Sequence, residues 1–152
     1  MMTICMRYTK NEDDAVEVLN TGFLKVFRNI DKYIAEKGSL YTWIGTIIVN
    51  SCLDFIKSKT KREPYMALTD AAEVEIPADV TSKMSASELL NLVRGLPPAT
   101  QGVFNLYVME GYKHKDISKM LGISEGTSKW HLSEGRKALQ QMIQIQEIKA
   151  HG

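Results

Sequence analysis

The chain has 152 residues, 44% hydrophobic and 24% charged, which suits one domain or two small ones and excludes disordered or fibrous classes. Its two cysteines, Cys5 and Cys52, lack CxxC or Cys/His spacing, so neither a disulfide framework nor a zinc site is supported and packed thiols are expected. The net charge of +1 hides a basic 1–62 (+3), an acidic 63–112 (−5) and a basic 113–152 (+3), an asymmetry that suits weak contact with nucleic acid but falls short of a strongly basic binder. Residues 1–8 look helical, with Ile4, Cys5 and Tyr8 on one face. Their opening, MMTICMRY, lacks the pattern of a signal peptide, and no segment reaches the roughly 18 apolar residues of a membrane span. No membrane insertion is expected, and cytoplasm is the default.

Asn11 to Asp14 form a capping cluster, with carboxylates at the positive end of a second helix. Val16, Leu19, Phe23, Val26, Phe27 and Ile30 recur at helical spacing as its expected inward stripe, running to about Tyr33. AEKGS breaks the pattern, and Ser39 can cap a third helix whose stripe is Leu40, Trp43, Ile44, Ile47, Ile48, Cys52, Phe55 and Ile56. It ends in KSKTKR, Lys57 to Arg62, either a solvated end favoured by the helix dipole or a basic tip that a nucleic-acid strand can follow.

Periodicity vanishes over 63–84, where Pro64, Pro77 and a run of acids mark a linker able to extend to roughly 70 Å. Two tethered domains are expected, 1–62 and 85–147. Helices resume at Ser85 to Arg94 and, after Gly95, from Pro98 to about Met109, with proline where an amide is dispensable. Val103, Phe104 and Tyr107 are placed to pack beneath the next two helices. In the first of these, Ile117, Met120 and Leu121 share a face; Gly122 suits the left-handed residue past its end, and Ser124 caps the second. The second helix has an inward stripe of Ser128, Leu132, Gly135, Leu139 and Met142 or Ile143. Its outward face carries Gly126, Lys129, Trp130, Ser133 and Lys137, flanked by His131 and Arg136. Cations, hydroxyls and an indole on one face suit the major groove, so the pair predicts a helix-turn-helix, with a surface hairpin bearing a solvated face as the alternative. No alternating strand pattern occurs, and the fold class is all-α.

Three segments together resemble the extracytoplasmic-function sigma factors of the sigma-70 family. NEDDAVEVLNTGFLKVFRNIDKY is similar to the family's second region. GSLYTWIGTIIVNSCLDFIKSKTKR resembles the helix that follows, with Tyr41-Thr42-Trp43, Asn50 and Asp54. LPPATQGVFNLYVMEGYKHKDISKMLGISEGTSKWHL resembles its C-terminal helix-turn-helix. The resemblance implies core RNA polymerase (clamp and flap), promoter DNA and an anti-sigma factor as partners. It puts clamp contacts on Asp14, Glu17, Asn20, Thr21, Lys25 and Arg28. Contacts to the displaced minus-10 strand fall on the Ala35–Ser39 loop, including Lys37, Gly38 and Ser39, and on Tyr41, Asn50, Lys57, Lys59, Lys61 and Arg62; the spacing of Trp43 favours the core. Duplex minus-35 contacts fall on Glu125, Gly126, Thr127, Lys129, Trp130, His131, Arg136 and Lys137, with Thr127 and Lys129 foremost. The resemblance also implies that Glu73, Glu75 and Asp79 of the linker mimic nucleic-acid charge near the polymerase's active centre, and that the family's first helix is largely missing ahead of Met1.

The chain departs from the family pattern in several places. Asn20 and Thr21 stand where Gln and Glu are usual; His131, Glu134 and Gly135 where Arg or Gln, Arg and Ala are frequent; Thr100 and Gln101 where an aromatic-Arg pair is commoner. Fewer cations mean weaker phosphate binding. The expected function is promoter choice and strand opening, with no catalysis by the chain and no cofactor or metal, since no phosphate loop, ligand spacing or nucleophile-base pair is present. The alternatives are a sigma-like decoy that binds only a regulator and a one-component helix-turn-helix repressor.

Overall fold

The computed structural model describes residues 1–60 and 84–151, and every regular element among them is helical. The chain divides into two compact units, 1–62 and 63–152. Lys61, Arg62 and nearly all of the expected linker, with Glu73, Glu75 and Asp79, lie outside the described residues.

In the first unit α1 (Met2–Tyr8), α2 (Glu12–Arg28) and α3 (Leu40–Thr60) each pack against the other two. Buried Thr9 closes α1 by donating its hydroxyl to the carbonyls of Cys5 and Asn11 at 3.0 and 3.2 Å. Asn11 opens α2, its side chain accepting from the Asp14 amide at 2.8 Å, with Glu12, Asp13 and Asp14 in the first turn.

The buried face of α2 differs from the expected stripe. Ala15, Val18, Gly22 and Val26 face the core, whereas Val16, Phe27 and Ile30 are exposed, Phe27 to 73%. Closeness of approach explains the rotation: a Cβ on Gly22 would sit 2.5 Å from Ile48 Cδ1, so α3 packs on the small-residue side of α2, where more of both helices is brought together. Helix α3 buries Ile48, Val49, Cys52, Leu53 and Ile56. Its expected first stripe residue, Leu40, is the first residue of the helix and is exposed.

In the second unit α4 (Ala86–Arg94) starts in a capping box between Ser85 and Glu88. Helix α5 (Pro98–Phe104) continues into a wider π-helical turn, Asn105–Met109. Helix α6 (His114–Leu121) ends at Gly122, whose φ of 68° and ψ of 38° are the left-handed conformation expected there. Ser124 then accepts from the Thr127 amide at 2.9 Å and opens α7 (Glu125–His151). The buried stripe of α7 is Ser128, Leu132, Gly135, Leu139 and Ile143, as the spacing predicts. At Gly135 a Cβ would lie 3.1 Å from Thr100 Cγ2, so the missing side chain lets α5 and α7 cross closely.

Candidate nucleic-acid interfaces

Between α2 and α3 the chain makes two single turns of 3-10 helix, Ile30–Lys32 and Ala35–Lys37. They frame an open pocket of about 260 Å3 lined by Lys32, Tyr33, Ile34, Lys37 and Gly38 from the loop, then Ser39, Thr42, Trp43 and Thr46. That is below the roughly 300–1,000 Å3 of sites that take drug-sized ligands, and on the scale of a single ring system. The loop is held in shape by Tyr33, whose hydroxyl donates to the Gly38 carbonyl at 3.1 Å. Gly38 has a φ of 151°, a backbone conformation that side-chain-bearing residues rarely adopt. Ser39 caps α3 by accepting from the Thr42 amide at 3.1 Å.

The rings of Tyr33 and Trp43 meet at 5.6 Å and 54°. Trp43 is therefore half-buried, neither a core residue nor a free surface one. Two aromatic faces, hydroxyls and two lysines around one cavity can stack a planar heterocycle and hold a phosphate beside it. The sequence singled out Lys37, Gly38 and Ser39 but missed Lys32, Tyr33, Thr42 and Thr46. An aromatic at each end of a glycine-containing loop was the available signal.

Along α3, Thr46, Asn50 and Lys57 are exposed at helical spacing and extend one face beyond the pocket. Tyr41 is 70% exposed but does not line the pocket. Lys59 is exposed and sits over the Phe55 ring at 5.1 Å, which gives its ammonium an aromatic neighbour within α3. Of the residues assigned to a protein partner, Glu17, Asn20, Thr21 and Arg28 are exposed on α2, and Asp14 is half-exposed. Lys25 is instead paired with Asp54 of α3 at 2.8 Å.

On α7, Glu125, Gly126 and Lys129 are exposed and Trp130, Arg136 and Lys137 half-exposed, with Lys137 3.2 Å from Glu134. Thr127, His131 and Ser133 correct the sequence expectation: they are 6%, 6% and 3% exposed. Helix α7 packs against both α5 and α6, so its open arc is narrower than the face drawn from spacing alone. Thr127 turns back to the Ser124 hydroxyl at 2.8 Å. The Nδ1 of His131 is hydrogen-bonded to the Thr100 hydroxyl of α5 at 2.9 Å, and burial lowers the imidazole pKa to about 4. The second hinge of the pair is His114, bonded through Nδ1 to Ser128 at 2.8 Å and stacked on Tyr107 at 4.6 Å. The His114–Ser128 bond ties α7 to α6 and the Thr100–His131 bond ties it to α5, so the two together hold α7 against both helices.

Residues 1–62 match the model of sigma-70 region 2, and residues 86–139 that of sigma-70 region 4. The chain belongs to the sigma-70 family, whose members are the promoter-directed initiation factors of RNA polymerase. Within it, the curated relatives point to the extracytoplasmic-function group. The chain is 26% identical over 136 residues to the sigma factor SigM of Mycobacterium tuberculosis, covering 89% of this chain and 67% of SigM. It is 25% identical over 146 residues to SigE of Mycolicibacterium smegmatis, covering 92% and 56%, and 26% identical over 145 residues to CarQ of Myxococcus xanthus, covering 94% and 82%. The chain thus spans about two thirds of SigM and little more than half of SigE. The fold is shared with the sigma factor RpoE of Bartonella quintana, solved in complex with the anti-sigma factor NepR, at a TM-score of 0.61 and 15% identity over 95% of this chain and 89% of that one. Among the described residues no helix is long and apolar enough to cross a membrane.

Proposed function

We propose that the chain, bound to core RNA polymerase, holds one base of the separated minus-10 strand in the Tyr33–Trp43 pocket while α7 enters the major groove of a duplex minus-35 element. The pocket carries this: a cavity the size of one ring system, walled by aromatics and edged by Lys32 and Lys37, suits a base taken out of its stack. Asn50, Lys57 and Lys59 would continue the path of the strand along α3. On α7, Lys129 and Trp130 would meet base edges, with Glu125 and Gly126 at the entering end and Arg136 and Lys137 on phosphates. Thr127 and His131 would act by fixing the helix rather than by touching DNA.

Asp14, Glu17, Asn20, Thr21 and Arg28 would meet the polymerase clamp, and the second unit its flap. An anti-sigma factor belongs to the proposal, supported by the RpoE relative held by one. The polymerase, in a cytoplasmic setting, would supply all the chemistry. The test is run-off transcription by core polymerase with and without the protein, alongside binding of a single-stranded minus-10 oligonucleotide. Promoter-specific transcripts that depend on the protein are expected, with strand affinity reduced about tenfold or more in Trp43→Ala, since one stacked base contributes about 1–3 kcal/mol. Tight binding of a regulator with no specific transcript would favour a decoy instead.

A further inference from the structure

The open arc at the entering end of α7 holds few side chains. Over 125–132, Thr127, Ser128, His131 and Leu132 are buried and Gly126 has no side chain, which leaves Glu125, Lys129 and Trp130. Each suits a different edge in the major groove. A carboxylate accepts from the amino group of cytosine, an ammonium donates to the acceptors of guanine, and apolar surface packs on the C5-methyl group of thymine. Trp130 is the apolar member of the three. We propose, on the reading that α7 enters the major groove, that Trp130 is the specificity-determining residue for thymine there, its indole packing on the C5-methyl group, with His131 and Thr100 as positioning residues that hold the ring.

The indole stands against a fixed wall. Its ring and that of His131 meet edge to face at 4.9 Å and 71°. His131 is itself buried and tied through Nδ1 to the buried Thr100 hydroxyl of α5 at 2.9 Å, so a bond from another helix ends on the surface that supports Trp130. A ring held before binding loses less rotamer freedom on contact than a mobile one, and more of the methyl contact then appears as affinity. Burial lowers the His131 pKa to about 4, so the wall is uncharged at neutral pH and does not compete for phosphates.

Room for the base is provided on the turn before. Helical side chains lean toward the preceding turn, and the residue one turn before Trp130 is Gly126, where an added Cβ would meet only the Ser124 hydroxyl, at 3.7 Å. The backbone there is bare, so α7 can approach a base pair closely beside the indole. On the following turn the Glu134 carboxylate is paired with Lys137 at 3.2 Å, which offsets its repulsion of DNA.

The test uses the full chain assembled with core RNA polymerase and a pool of duplexes randomised over the upstream element, from which bound sequences are selected. The selected duplexes are remade with uracil in place of thymine, which deletes the C5-methyl group and keeps every hydrogen-bonding atom. Expected is thymine at one or more fixed positions, with affinity falling about fourfold for each contacted methyl removed, the transfer value of one buried carbon. This preference for thymine over uracil should disappear in Trp130→Ala and persist in Trp130→Phe, which retains an aromatic ring. Thr100→Val removes the hydroxyl and keeps the shape, and should lower the preference without changing the salt slope of binding. Thr100→Ser keeps the hydroxyl and should preserve the preference.

No thymine at any fixed position, uracil duplexes bound as tightly as thymine ones, or a preference untouched by Trp130→Ala would each overturn the recognition of thymine while leaving α7 in the groove. A preference lost in Trp130→Ala but unmoved in Thr100→Val would overturn the positioning roles. Exclusion of α7 from the groove has a separate signature, duplex affinity and salt slope unchanged in the Lys129→Ala, Arg136→Ala pair, and would overturn the recognition of thymine with it.

Discussion

The two units hold themselves together in different ways. Among the described residues, the buried polar side chains of the first unit are Thr9 and Ser51, whereas the second buries Thr100, Gln101, Asn105, Thr127, Ser128, His131 and Ser133. Apolar packing is tolerant of angle, while a hydrogen bond is directional and costly to leave unmade. On the proposed reading α7 has to meet a groove at one angle, and the unit that carries it is pinned by the bonds Thr100–His131 and His114–Ser128. The unit with the Tyr33–Trp43 pocket rests instead on the close crossing of α2 and α3 at Gly22, and leaves the pocket's rim in a loop.

The largest expected effect breaks the first half of that comparison. Ile48→Ala empties the space between α2 and α3 and should cost about 2–5 kcal/mol, whereas Phe27→Ala should change stability by no more than about 0.5 kcal/mol. Denaturant unfolding of both variants checks the pair. A large loss in Phe27→Ala would return that ring to the core and undo the rotated face of α2.

Acid sharpens the second half. His131 has a folded pKa of about 4 against an ordinary 6.5, so the unfolded chain binds the proton first as pH falls. The stability that neutral His131 confers is present above pH 6.5 and is lost progressively as pH falls to about 4, on the order of 3 kcal/mol in all. Region 4 should lose stability over this window, as followed by Trp130 fluorescence, and His131→Gln should flatten the dependence.

A smaller effect is electrostatic. Lys129→Ala combined with Arg136→Ala should weaken duplex binding and reduce its salt slope by about 0.9 for each phosphate that is no longer neutralised, measured as log affinity against log salt. An unchanged slope would remove α7 from the groove. Smallest is the Lys25–Asp54 pair, half-exposed at Lys25 and exposed at Asp54. A double-mutant cycle should return no more than about 1 kcal/mol, since α2 and α3 are joined by packing rather than by charge.

Local signals were legible in the sequence and long-range ones were not. Asn11, Ser39, Gly122 and Ser124 stand where caps and turns were expected, because each acts within about four residues of itself. The burial of Ala15 and Gly22 was hidden: small residues do not register as an apolar stripe, and their value appears only when another helix crosses them. The burial of Thr127 and His131 was hidden because spacing within one helix cannot say how many neighbours pack on it. Thr100 and His131, two of the departures from the family pattern, turn out to be partners. The pocket needed the loop folded back so that Tyr33 and Trp43 met.

The most direct test of two units acting on two forms of DNA is a competition experiment on the assembled polymerase–promoter complex. A single-stranded minus-10 oligonucleotide and a duplex minus-35 oligonucleotide are each titrated against complexes carrying Trp43→Ala or the Lys129→Ala, Arg136→Ala pair. The expected result is a double dissociation: Trp43→Ala weakens the single strand and spares the duplex, and the paired substitution does the reverse. Equal loss of both ligands in either variant would contradict the account.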